Sequence, residues 1–353
     1  MTVTSMASLT RISDLADKPF AIEQIPHEHW ASGDYVVGDM TGAPHRLYNI
    51  ELASGRMVHA MPGDRIVGAF GDRSATLEGV GSYRNINGNV MRAMTSAGLF
   101  GEITSMSQII PPTLQFNYAG HATRNGRKIC MSDFAVQSEH GKFAIPTILL
   151  VGTSMSAGKT TTGRLVVHEL EDMGKKVIGA KLTGAGRYRD ILSFRDAGAR
   201  RIFDFVDAGL PSTVVPEEDF RTAIRPLLHH IDSLQPDFLI AEAGASPLEP
   251  YNGSAAIDEL GDNIVCTILC ASDPYAVLGV REAFQLIPDI VTGPAANTQA
   301  GVALVHKLTG LEALNVMDPA ELPQLREALS RRLSAVGPGL RNPTETPAEG
   351  SVE

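Results

Sequence analysis

ILLVGTSMSAGKTTTGRLVVHEL, residues 148–170, decides how the chain is read. An apolar run stops at Gly152, a short polar loop follows, and an amphipathic pattern begins at Lys159. Strand, glycine-bounded loop and helix in that order make a phosphate-binding P-loop. Backbone N–H groups of such a loop and of the helix N-terminus point at phosphate oxygens. Gly158 lets the backbone approach the anion closely. Lys159 brings a mobile positive charge to the outer phosphates, and the Thr160 hydroxyl suits magnesium. The cofactor-binding set read from the loop is Gly152, Thr153, Ser154, Ser156, Ala157, Gly158, Lys159, Thr160 and Thr161. Thr153 stands where the commonest spacing has Gly or Ala, with Gly152 one residue earlier.

Downstream of the loop, apolar strands alternate with helical patterns. AIPTILLVG precedes the loop, a helix is expected from Lys159 to about Met173, and KVIGAKL follows. A helix near Glu217 to Leu234 precedes DFLIAEAG. NIVCTILCAS, DIVTG and ALNVMD read as further strands, with a last helix from Glu321 to Leu333. Continuous apolar strands between helices predict an α/β domain, a mostly parallel sheet covered on both faces, over residues 143–335. In such sheets the ligand crevice lies at the strand C-terminal ends. Lys181 and Glu242 each end an apolar strand. Their bland readings are pairing with a nearby carboxylate and a solvated strand end. Their functional readings are a catalytic cation and a magnesium ligand, since magnesium needs few protein oxygens. Gly184 and Gly244 would leave room for substrate. In TGAGRYRDILSFRDAG a loop should become a helix. There Arg187, Arg189 and Arg195 suit an anionic substrate, and Asp190 suits a helix cap or a place beside the metal. Asp273, before Pro274, reads as a helix cap. Glu249 and Tyr251, just past Glu242, could line a substrate pocket, but surface loop is the simpler reading.

Residues 1–142 look different. YVVGDM, RLYNIEL, DRIVGAF, ATLEGVGSY, LQFNYAGH and KICMSDF are short strand-like runs between turn residues. They predict a smaller β-rich domain, a barrel or sandwich, with helical periodicity only around Asn89 to Leu99. His27 and His29 flank Glu28, but no element pattern fixes them as metal ligands. His229 and His230 fall on the amphipathic helix before DFLIAEAG. The segment 336–353 is rich in Pro and Glu and is expected to be disordered.

The net charge is −10, unevenly spread. Residues 1–145 hold 12 basic and 13 acidic side chains, and residues 146–353 hold 18 and 27. An acidic P-loop half argues against a nucleic-acid surface and suits a small anion held by local donors. There is no run of apolar residues of membrane-spanning length, nor a secretory signal pattern. Cys130, Cys266 and Cys270 have no zinc-site spacing, and a cytoplasmic location is expected.

The loop GT-x-x-x-x-GKT resembles that of the dethiobiotin synthetase group, over about residues 145–320. The resemblance implies that Lys181 binds phosphate and substrate, that Glu242 ligates magnesium, that Asp190 or Asp196 is a substrate-side aspartate, and that Asn297 contacts the base. It has no counterpart for the N-terminal domain. A second, two-domain family, which includes a D-glutamate N-acetyltransferase, is similar in having a domain before a P-loop of this kind. Its Thr-Gly-Gln-Thr-Gly segment corresponds here to Leu182-Thr183-Gly184-Ala185-Gly186. The leading expectation is an enzyme using Mg-ATP to activate a small carboxylate or amine. Alternatives are an N-acyltransferase holding acetyl-CoA phosphates in the loop, and a nucleotide-gated delivery protein. Analogy adds a homodimer.

Overall fold

The computed structural model describes residues 4–43, 49–110, 112–138, 141–244 and 246–334. The expected tail 336–353 and part of RLYNIEL lie outside them. Short, turn-punctuated runs give the strands β1 (Thr4–Met6), β2 (Ala21–Glu23), β3 (Tyr35–Met40), β4 (Ile50–Glu51), β5 (Met57–Val58) and β6 (Arg65–Phe70). There follow β7 (Asp72–Ala75), β8 (Gly79–Ser82), β9 (Val90–Ala93), β10 (Leu99–Met106), β11 (Gln115–Arg124) and β12 (Arg127–Lys128). Strands β6, β3, β11, β9 and β10 pair in that order, and β10 returns to pair with β6 in parallel. The five strands therefore close on themselves as a barrel, and the two edges of that path disappear.

Alternation along the barrel strands sorts two cores. Val36, Met40, Ile66, Phe70, Phe100 and Phe116 cluster together. Their neighbours Tyr35, Val37, Val67, Ala69 and Leu99 belong to a second cluster that includes Phe205 and Val206 of the following domain. The first interior is tightly packed at Gly68. A Cβ on Gly68 would lie 2.1 Å from the Gly98 carbonyl oxygen and 2.7 Å from the Phe100 ring.

The second domain contains β13 (Thr147–Gly152), β14 (Val177–Thr183), β15 (Arg201–Asp204), β16 (Phe238–Ala243), β17 (Ile264–Cys270) and β18 (Ile290–Thr292). They form one parallel sheet in the order β15-β14-β16-β13-β17-β18. Its helices are α1 (Lys159–Asp172), α2 (Tyr188–Asp196), α3 (Glu217–Ser233), α4 (Gly253–Leu260), α5 (Pro274–Phe284), α6 (Gln299–Thr309) and α7 (Leu322–Ser334). Leu149 and Val151 face a core built with α3 to α6, while Ile148 and Leu150 face one built with α1, α2 and α7. Burial on both faces explains why these strands read as unbroken apolar runs. Among the described residues no helix is long and apolar enough to cross a membrane.

Three local expectations fail. The region Asn89 to Leu99 is not helical: β9 pairs with β10 and β11, and a turn from Met94 to Ala97 leads into β10. KICMSDF is not a strand beyond Lys128. Met131–Phe134 is a single 3-10 turn in which the Cys130 amide donates to the Asp133 carboxylate at 2.8 Å. ALNVMD makes only one bridge, between Ala313 and Val291. Asp273 caps α5 as expected, accepting from the Tyr275 and Ala276 amides at 2.9 and 3.1 Å.

Candidate active site

The loop between β13 and α1 has Gly158 at φ +96°, a left-handed torsion that favours glycine and turns the chain into the helix. Helix α1 has no side-chain cap and no acidic residue in its first turn. Lys159 folds back over the loop and donates to the Ser154 carbonyl at 2.8 Å. It lies so close over Gly152 that a Cβ there would meet the ammonium at 2.5 Å. Burial holds the Lys159 pKa below its ordinary value, with Glu242 pulling the other way. Thr153 anchors the loop: its amide donates to the Cys270 carbonyl at 3.0 Å, and its hydroxyl accepts from the Ser272 amide at 3.0 Å. The departure from Gly or Ala at this position thus ties the loop to the end of β17. Ala157 is fully buried, whereas Ser156 is exposed.

Thr160 and Glu242 meet at the cavity floor, with the hydroxyl donating to the carboxylate at 3.0 Å. A hydroxyl and a carboxylate side by side are the oxygen donors that magnesium takes beside a phosphate chain. Lys181, at the end of β14, is paired with Asp190 at 2.6 Å. Burial works against the lysine charge, but the attraction of Asp190 and Glu242 prevails and raises its pKa. Burial likewise opposes the Asp190 charge, and Lys181 and Arg187 overcome it, so its pKa is lowered. Both ions persist across the neutral range. Gly244 is fixed by space: a Cβ there would lie 2.1 Å from the Thr183 carbonyl oxygen.

Of the two aspartates left open by the sequence, Asp190 enters this site. Asp196, on the last turn of α2, is exposed and lines a separate groove with Thr161 and His168. Arg195 is also exposed. Asn297 is an exposed residue just after β18, beside Gly293, which abuts the loop at Ala157. His27 lies against Trp30, and no group of three or more metal-binding side chains gathers among the described residues. Cys266 and Cys270 are buried, and burial pushes their thiols up to about 12 and about 11.

The cavity above Lys159, Thr160, Lys181 and Glu242 has a volume of about 150 Å³. Arg187 and Gly184 line it from the P-loop domain, and Arg73, Glu78 and Thr95 line it from the barrel. Tyr251 corrects the surface-loop reading: it is 1% exposed, lines the cavity, and its hydroxyl accepts from the Ser74 amide at 3.0 Å. Glu249 also crosses between domains, accepting from the Thr76 hydroxyl. The buried Glu51 carboxylate accepts from the Tyr188 and Arg189 amides at 2.7 and 2.9 Å, so the barrel caps α2 and sets where Arg187, Arg189 and Asp190 stand. Arg11 joins the domains as well, bridging Asp204 and Asp207 at 2.6 and 2.8 Å. Glu51, Arg11, Arg73, Glu78 and Thr95 carry no motif, and only the tertiary fold brings them to this place.

No family model matches the chain, and no curated protein matches it in sequence. Solved structures align with the chain only distantly, over about half its length. Chloroplast FtsY from Physcomitrella patens aligns with TM-score 0.36 and 16% identity over 56% of this chain and 71% of its own. The hydrogenase maturation factor HypB from Archaeoglobus fulgidus gives 0.35 and 15% over 54% and 91%. HypB from Helicobacter pylori, solved in complex with nickel, gives 0.37 and 16% over 57% and 92%.

Proposed function

We propose that the protein is an enzyme that uses Mg-ATP to activate a small carboxylate or amine. The observation that carries this reading is the convergence of five side chains on one cavity: Lys159, Thr160 beside Glu242, and the Lys181–Asp190 pair. Phosphoryl transfer asks chiefly for positioning and neutralisation of charge. Lys159 and the loop amides hold the phosphate chain. Thr160 and Glu242 supply oxygens to magnesium, whose charge offsets that of the phosphates. Lys181, kept charged and oriented by Asp190, faces the transferring group. A substrate carboxylate oxygen bonds to the terminal phosphorus as its bond to the bridging oxygen breaks, and ADP leaves. Arg187 orients the substrate's acid group. The resemblance of the loop, Lys181 and Glu242 to the dethiobiotin synthetase pattern supports the same assignment.

The test is calorimetric titration of the full chain with Mg-ATP, Mg-GTP and acetyl-CoA, with Lys159→Ala alongside. Mg-ATP binding that falls at least about 100-fold in the variant is expected, on the scale of losing one preorganised charge contact. Binding of acetyl-CoA without ATP would replace the kinase-like reading by the acyltransferase. Substrate-independent hydrolysis, with Mg-GTP preferred, would replace it by a nucleotide-gated protein.

A further inference from the structure

Next to the phosphate end of the cavity lies a second chamber of about 130 Å³. The two share Arg73, Glu78, Thr95 and Arg187 in their walls. At roughly 10–15 Å³ per water-sized site, the chamber has room for a ligand of about ten non-hydrogen atoms.

Its polar lining is unusual. Among the described residues, eight buried side-chain polar atoms lack a hydrogen-bond partner. Five of them, Asn49 Oδ1, Arg73 Nε, Thr95 Oγ1, Ser96 Oγ and Thr113 Oγ1, belong to residues that line this one chamber. Thr95 and Thr113 are 9% and 8% exposed. A buried polar atom without a partner is costly, and such atoms in a native fold call for an explanation. Five of them on residues that line one small space are a local supply of unsatisfied donors and acceptors. Three arginines, Arg73, Arg187 and Arg189, line it; Arg73 is paired with Glu78, the one carboxylate residue in the lining, and donates to the Met94 carbonyl at 2.7 Å. Met57, Met94 and Leu114 supply an apolar side.

We propose that this chamber, built mainly by the barrel, is the acceptor subsite. Its ligand is a small carboxylate that also bears an N–H or O–H donor for Asn49 Oδ1 and a short carbon body. The role as acceptor rests on reading the adjacent cavity floor as the phosphate site, whereas carboxylate binding as such does not. Arg73 Nε and the three hydroxyls answer the carboxylate, and the shared wall brings it to the phosphate end beside Arg187.

The experiment is calorimetry on the full chain without nucleotide, using lactate, malate, serine and aspartate, with glycerol and inorganic phosphate as controls. At least one carboxylate should bind, and Thr113→Val, Asn49→Ala and Arg73→Lys should each weaken it about tenfold, the scale of one hydrogen bond. Thr95→Val and Thr113→Val keep shape and remove an unpartnered hydroxyl, so their melting temperature without ligand should equal or exceed that of the wild type. Mg-ATP affinity should be unchanged in Thr113→Val and Asn49→Ala, whose residues line the chamber and not the adjoining cavity. The proposal is overturned if no carboxylate binds, if phosphate binds in preference, if the substitutions leave affinity unchanged, or if the valine variants melt lower. Carboxylate binding without Mg-ATP binding would keep the chamber and remove the phosphate reading beside it.

Discussion

Helices α1 and α2 both begin at the rim of the same cavity, and their N-termini are used in opposite ways. Helix α1 starts at left-handed Gly158 with neither a capping side chain nor an acid in its first turn. Helix α2 starts under the carboxylate of Glu51, which accepts from its first two amides and comes from 137 residues away in the chain. A helix N-terminus carries unsatisfied N–H groups and a partial positive charge, and it is stabilised by an anion. At α1 the sequence places no anion of its own, so that end suits a phosphate. At α2 the anion is built in, and it belongs to the other domain. One terminus is therefore left open for the proposed phosphate, and the other locks the barrel to the P-loop domain.

The largest effect should come from disturbing the charge that lies between the two helix starts. Lys181→Met leaves the half-buried Asp190 without its partner, which costs up to about 3 kcal/mol. Urea denaturation would read it directly. The double variant Lys181→Met with Asp190→Asn should recover much of that loss, and additive losses would mean that the pair is not coupled. Activity should be absent in both.

A smaller effect should follow from Glu51→Ala, which removes the α2 cap. Two half-buried backbone amides and the buried Ser8 hydroxyl lose their acceptor. The expected cost is about 2 kcal/mol. If the two helix starts are as distinct as their capping suggests, Mg-ATP affinity will stay within about twofold of wild type while turnover falls. Loss of ATP binding in Glu51→Ala would break the distinction, because the barrel would then also be shaping the phosphate loop.

The same contrast explains what the sequence made legible. The P-loop declares itself because its parts are consecutive: an apolar strand, Gly158, Lys159, Thr160 and a helix face. Lys181 and Glu242 were legible because each ends an apolar run, where parallel sheets place ligands. Choosing Asp190 over Asp196 needed the start of α2. At about 100° per residue, six residues place those side chains on different faces, and that start is set by Glu51. Tyr251 looked like loop because its partner, the Ser74 amide, lies in the barrel. Arg73, Thr95 and Thr113 show no periodic signal, since β7, the turn after β9 and the segment before β11 meet only when the barrel closes. Asn89 to Leu99 misled because a four-residue strand is too short for alternation to outweigh a chance helical pattern.

The smallest expected effect concerns the other lock between the domains, the cluster of Arg11, Asp204 and Asp207. One guanidinium there faces two carboxylates. Burial pushes the Asp207 carboxyl up to about 6, with Arg11 opposing and Asp204 adding to the shift. Between the ordinary carboxylate value near 4 and about 6, the folded protein holds a proton that the unfolded chain has released. Stability from this group must then fall as pH rises through that window and level off above it. Asp207→Asn removes the titration while keeping an oxygen acceptor for Arg11. Subtracting the variant's unfolding free energy from that of wild type isolates this group from the Lys181–Asp190 pair, whose ions persist through the window. The difference should become less favourable to wild type by on the order of 1 kcal/mol between pH 4.5 and pH 7.5. Parallel curves would mean that Asp207 is ionised throughout, and that Arg11 alone balances both acids. In that case the two locks would be alike, each a fully charged contact, and the barrel's hold on the P-loop domain would not weaken with rising pH.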